Sequence, residues 1–186
     1  GAARLLLGLA GSREQPARTE DELAFLRTDR EFRNRLMVEL PNGDFAVTMA
    51  KLLFLAAYQK PLYEELAAAS SDDPELAAIA AKAVKESAYH LDHAALWTVR
   101  LGDGTEESHR RMQNAVGELW PYTHELFESR PDWLSTVEAV LKESTVERPA
   151  DGWRPTGGRD GVHTEHLSRL LAEMQVLHRA HPGATW

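Results

Sequence analysis

Apolar positions along this chain recur with a period near 3.6, and no stretch shows sustained alternation of β-branched and polar residues. Residues 1–10 read as the tail of a helix stopped by Gly11 and Ser12. The next helix is predicted to open at Thr19-Glu20-Asp21-Glu22. There the threonine caps a free backbone N–H and Glu22 reaches back to the cap's own N–H. Leu23, Leu26 and the Arg30 to Phe32 stretch continue it. Leu40-Pro41-Asn42-Gly43-Asp44 is a turn that hands over to a helix capped by Asp44.

The helix beginning at Phe45 carries Met49, Ala50, Leu52, Leu53, Phe54, Leu55, Ala56, Ala57 and Tyr58 around its whole circumference, which predicts a buried central helix. Pro61 is expected to kink or interrupt it, since an interior proline removes a ladder hydrogen bond. The pattern then stops in Ser70-Ser71-Asp72. Asp73-Pro74-Glu75 supplies a cap, a first-turn proline and an acid at the positive end of the dipole. From there one apolar face runs through Leu76, Ile79, Ala83, Ser87, Leu91, Ala94 and Thr98 until Gly102. A further helix is predicted from Thr105 through Met112, Val116 and Leu119 to Phe127, kinked at Pro121. A shorter one covers about Leu134 to Glu143, and residues 148–161, rich in Pro and Gly, form the one long loop. The last helix carries Leu167, Leu170, Leu171, Met174 and Leu177, and ends at His181-Pro182-Gly183. These elements predict an all-α bundle of antiparallel helices in one domain spanning residues 1–186.

Composition narrows the chemistry. With 186 residues the chain is long enough to hold a core without staples. The absence of cysteine excludes disulfides, thiolate metal sites and a thiol nucleophile. A net charge of −8 argues against nucleic-acid binding through counterion release. The longest uninterrupted apolar run, Leu52 to Ala57, falls far short of the ~20 residues needed to span a bilayer. No secretory signal is visible, and cytoplasm is the compartment expected. The chain lacks an initiator Met and its first residues already read as helix interior, so it is expected to be a fragment that starts late.

A helical bundle with scattered His and Glu raises the question of a metal centre. A carboxylate-bridged di-iron site takes Glu from two helices and a Glu-x-x-His pair from each of two others. Glu86, His90, His93 and Trp97 form one ridge of the Asp73 helix, but position +3 from Glu86 is Tyr89 and the histidine falls at +4. If the two long helices pair about Ser71, Glu86 lies level with residue 56. The window from Leu52 to Lys60 has no carboxylate, and Glu64 and Glu65 lie about 12 Å further along. The alternative to a metal ridge is a Glu86–His90 pair with a His93/Trp97 edge packed on a neighbour. Glu106–His109 is the literal Glu-x-x-His, in a first turn where the helix dipole already accounts for an acid. His163-x-x-His166 with Glu165 has ligand-like spacing, against a capping or interface role. Arg110-Arg111 near Arg100 reads as a phosphate contact or as a salt-bridge set. A phosphate loop and a Gly-x-Ser-x-Gly elbow are both lacking.

Three stretches carry a family resemblance. They are Leu40-Pro41-Asn42-Gly43-Asp44-Phe45-Ala46, Val99-Arg100-Leu101-Gly102-Asp103-Gly104-Thr105-Glu106-Glu107-Ser108-His109-Arg110-Arg111-Met112, and Gly161-Val162-His163-Thr164-Glu165-His166-Leu167 through Ala172-Glu173-Met174-Gln175. In these the chain resembles the C-subunit family of ring 1,2-phenylacetyl-CoA epoxidases, bacterial multicomponent monooxygenases that open aerobic phenylacetate breakdown. The resemblance covers essentially the whole chain, with Pro61 where an uninterrupted helix former would be expected, and it implies that N-terminal helices, a pair in the family, are partly missing here.

The resemblance implies a ferritin-like bundle paired with a homologous catalytic A subunit, which holds the di-iron centre, alongside further small and reductase subunits. It implies no cofactor in this subunit, no nucleic-acid or membrane partner, and a structural role. A structural subunit needs an adhesive surface. The apolar segment 52–58 is a candidate with core as its alternative, as are the tryptophans Trp120, Trp133, Trp153 and Trp186. Two other classes stay open: a metal-binding enzyme of ferritin-like fold, and a free-standing helical binding module.

Overall fold

In the computed structural model, residues 1–69, 73–128 and 130–184 are described, and every regular element among them is helical. The order is α1 (Ala2–Ser12), a π-type turn Glu22–Leu26, 3₁₀ turns Asp29–Glu31 and Leu36–Glu39, and then α2 (Phe45–Ala68). There follow α3 (Pro74–Gly102), α4 (Glu106–Leu119), a 3₁₀ turn Trp120–Thr123, and α5 (His124–Phe127). The chain closes with α6 (Pro131–Glu143), a 3₁₀ turn Gly158–Asp160 and α7 (His166–Ala180). The arrangement is consistent with a ferritin-like helical bundle. The expected turn Ser70-Ser71-Asp72 and the terminal Trp186 lie outside the described residues.

The caps read from sequence form hydrogen bonds. Asp44 Oδ1 accepts from Val47 N at 3.0 Å, Asp73 Oδ1 from Leu76 N at 3.1 Å, and Thr105 Oγ1 from Ser108 N at 3.2 Å. Asp73 also takes both Nη groups of Arg13, at 2.5 and 2.8 Å, fixing the end of α1 to the start of α3. This pairing and the capped N–H hold the Asp73 carboxyl at about 2, below the usual aspartate range.

Three expectations are corrected. The Thr19 capping box forms, with Thr19 N donating to Glu22 at 2.7 Å, but the element it opens ends at Leu26. A second box, Thr28-x-x-Glu31, needs an extended cap residue, and Thr28 sits at φ −81°, ψ 166°, so no helix can run through it. Pro61 does not interrupt α2, which continues to Ala68. Its one missing N–H is outweighed by the packing of α2 along α3, the most extensive helix contact in the fold. Pro121 does more than kink its helix. It ends α4 and tightens the chain into the 3₁₀ turn before α5, because the ring excludes the carbonyl four residues back.

The centre of the molecule is α2, which contacts α3, α4, α5 and α6. Met49, Ala50, Leu53, Phe54, Ala56 and Ala57 are buried there, while Leu52, Leu55 and Tyr58 pack half-buried against the same core. Segment 52–58 is therefore core in this chain. Phe54, Trp120, Trp133 and Phe127 form an aromatic cluster with ring centroids 5.6–6.0 Å apart. Gly102 is demanded by a close approach: a Cβ there would lie 2.1 Å from the Ser144 carbonyl. That contact lets the irregular exit of α6 cross the end of α3.

Candidate functional site

The predicted ridge on α3 divides in two. Glu86 is exposed, faces α1 near Gly1 and Arg4, and raises the pKa of Tyr63, whose burial is the larger cause. Among the described residues it makes no ion pair with His90. The lower part is aromatic: Tyr89 stacks on His93 at 5.9 Å, His93 meets Trp97 edge-on at 6.4 Å, and Trp97 meets Phe45 at 5.2 Å. Arg100 lies over the Trp97 ring at 5.3 Å. The expected His93/Trp97 edge is thus present, and the Glu86–His90 pair is not formed. On α2, Leu53, Phe54, Ala56 and Ala57 are buried in the core. Among the described residues no three His, Asp or Glu side chains converge on a point that could hold a metal.

The remaining candidates act as joints. His109 Nδ1–H donates to the Gly102 carbonyl at 2.8 Å and so closes the C-terminus of α3. Arg110 and Arg111 both pair with Glu107, Arg111 also reaches Asp44 at 3.3 Å, and the cluster is a salt-bridge set. His163 Nδ1 donates to Glu39 Oε1 at 2.7 Å.

Of the tryptophans expected at a partner interface, Trp120 and Trp133 are interior, at 1% and 0% exposure. Each buries its ring and satisfies its N–H: Trp133 Nε1 donates to the Phe54 carbonyl at 2.7 Å and Trp120 Nε1 to Asp151 Oδ1 at 3.1 Å. Neither presents surface to a partner. Trp153 differs, being 69% exposed and touching Tyr122 edge-on at 5.9 Å.

Sequence reasoning passed over several buried polar groups. Glu39, 2% exposed, accepts from Asn34 Nδ2 (2.8 Å), His163 Nδ1 (2.7 Å), Thr164 N (2.7 Å) and Thr164 Oγ1 (2.8 Å). Glu125 accepts from Leu36 N at 2.8 Å and Gly158 N at 3.0 Å. Together they bind the 34–40 segment to the 157–164 segment. At that seam a Cβ on Gly158 would sit 2.3 Å from the Asn34 carbonyl. Lys51, 8% exposed, donates to the Leu40 carbonyl and to Asn42 Oδ1 at 3.4 Å. Its signal was visible, since it is the one charged position between Phe45 and Tyr58.

Comparison with protein families matches residues 1–132 and 128–186 to the family described as phenylacetic acid catabolic protein. The chain belongs to this family. The C subunit of the 1,2-phenylacetyl-CoA epoxidase of Escherichia coli (strain K12) is 43% identical over an alignment that covers 90% of this chain and 74% of that relative. In this member of the phenylacetic acid catabolic family, the stretches that carried the sequence resemblance are structural. Residues 99–112 make the end of α3, the Thr105 cap and the start of α4. Residues 161–167 bring His163 and Thr164 to Glu39. No described helix is long and apolar enough to cross a membrane.

Proposed function

We propose that this chain takes part in phenylacetate catabolism as the non-catalytic, structural subunit of a multicomponent phenylacetyl-CoA ring-epoxidising monooxygenase. It supports a homologous di-iron A subunit and carries no cofactor of its own. The observation that carries the reading is the 43% identity, over nine-tenths of the chain, to a protein named as the C subunit of such an epoxidase. The non-catalytic part is supported by α2, where Leu53, Phe54, Ala56 and Ala57 are buried apolar positions, and by His93, whose ring packs between Tyr89 and Trp97.

Further small and reductase subunits complete the proposed assembly, whose place is the cytoplasm. Trp153 is the proposed anchor on this side, a large exposed ring held at the surface of a loop.

Co-expression with the A subunit tests the whole reading. The two chains are expected to co-purify, and after separation iron is expected with the A chain alone. Two irons per copy of this chain, or a well-behaved monomer that ignores the A subunit, overturn it.

A further inference from the structure

We propose that the cavity between the 38–42 turn, α2 and the first turns of α7 is a binding site for a phosphate-bearing small molecule, held by Lys51, Arg169 and His166. The cavity, of about 380 Å³, is lined by these three residues together with Val38 to Asn42, Leu170 and Glu173. That size falls at the lower end of small-molecule pockets, which run from roughly 300 to 1,000 Å³. The site stands independently of the assembly proposed above.

Lys51 is the anchor of the argument. It emerges from the central, largely buried helix α2 and is 8% exposed, yet both oxygens that its ammonium meets, the Leu40 carbonyl and Asn42 Oδ1, are uncharged. Burial pushes its pKa down and no carboxylate offsets the loss of hydration. Buried charges are ordinarily paired, because removing an ion from water without a counter-charge is costly. Two of the three ammonium protons are engaged, which leaves one to donate.

Arg169 supplies a second cation on the same wall. It makes no ion pair or hydrogen bond among the described residues, although Glu173 and Glu165 each lie four positions away on its own helix. A guanidinium offers two parallel donors to phosphate oxygens, and an ammonium beside it acts as a point charge. His166, half-buried, completes the wall, and its nearer sequence partner His163 is already committed to Glu39.

The lining also holds two carboxylates, and neither closes the site to an anion. Both oxygens of Glu39 are occupied, each by two donors. Glu173 is exposed at the rim, and its charge, with that of the hydrogen-bonded Glu39, is what the cations Lys51 and Arg169 must outweigh for an incoming phosphate. Phosphate is favoured over a carboxylate ligand because its second charge and third oxygen match two cations plus an imidazole.

The test is a titration of the full chain with inorganic phosphate and with pyrophosphate, at ionic strength held constant by chloride, with acetate as a separate arm. Binding is read by calorimetry and by the NMR signal of the Lys51 ε-methylene. Saturable one-to-one binding is expected, with the Lys51 signal moving at the same dissociation constant. Arg169→Gln should weaken it at least tenfold without changing the melting temperature of the free protein, and Glu173→Gln should tighten it. Both substitutions are at exposed positions, so folding is not at stake. A non-saturating response, acetate binding as tightly as phosphate, or unchanged affinity in Arg169→Gln overturns the proposal.

Discussion

The α2–α3 centre and the seam between residues 34–44 and 157–164 hold themselves together in opposite ways. The centre is largely apolar: Phe54, Trp120, Trp133 and Leu53 interlock, and the two buried indole N–H groups have one acceptor each. The seam buries Leu36 and Met37 but is joined across its two segments by two buried carboxylates, Glu39 and Glu125, that collect donors from distant parts of the chain. Helices with a continuous apolar face can be fixed by burial alone. Irregular segments satisfy their backbone N–H groups only if something buried accepts from them, and here a carboxylate does so.

The contrast can be broken most violently in the centre. Trp133→Ala should cost about 3–5 kcal/mol, the usual range for removing a buried large aromatic, and should strip the Phe54 carbonyl of its second donor. A urea midpoint that moves by less than a fifth of that would show the cluster to be loosely packed.

At the seam, Glu39→Ala leaves four donors without their acceptor, and a loss of about 2–3 kcal/mol is expected. The sharper readout is local. Amide exchange should accelerate at residues 34–40 and 158–164 while α2 and α3 keep their protection, whereas uniform acceleration would mean that seam and centre unfold as one unit.

A smaller effect sits at the joint of α1 and α3. The Asp73 carboxyl is held at about 2, chiefly by Arg13 and then by the capped Leu76 N–H. A depressed acid contributes stability that is present above the unfolded-state value and is lost as pH falls through the folded-state value, so the window runs from about pH 4 to about pH 2. Asp73→Asn keeps a cap but removes the charge, and should flatten the stability profile in that window alone. An unchanged acid limb would show that Arg13 is solvated rather than paired.

Smallest in stability is Trp153→Ala. An exposed ring on a loop should leave the midpoint within about 0.5 kcal/mol. Association with the A subunit should weaken while helicity stays constant, and undiminished co-purification counts against an interface there.

The centre was legible in the sequence and the seam was not, for a physical reason. A cap such as Asp44 or Asp73 acts on an N–H three residues away, and a helical stripe repeats every turn, so both are local in sequence. Glu39 bonds to residues 124 and 125 positions away, and nothing in its neighbourhood separates it from a surface acid. Tryptophans posed the converse problem. Trp120 and Trp133 lie off the cleanest stripes because Pro121 and Pro131 begin new turns there, which rotates their faces inward. The site residues followed the same rule: the ridge spacing of Glu86, His90 and His93 was readable, whereas what faces each of them depended on α1 and Phe45.

The hydrogen bond from Trp120 to Asp151 joins a ring of the buried aromatic cluster to a loop position two residues before Trp153. A force applied at that loop is therefore delivered to the middle of the protein rather than dissipated at its skin. If the proposed Trp153 anchor takes a partner, the load on its loop reaches the interior through this bond and through Arg148, which pairs with Asp151 and lies over the Trp120 ring.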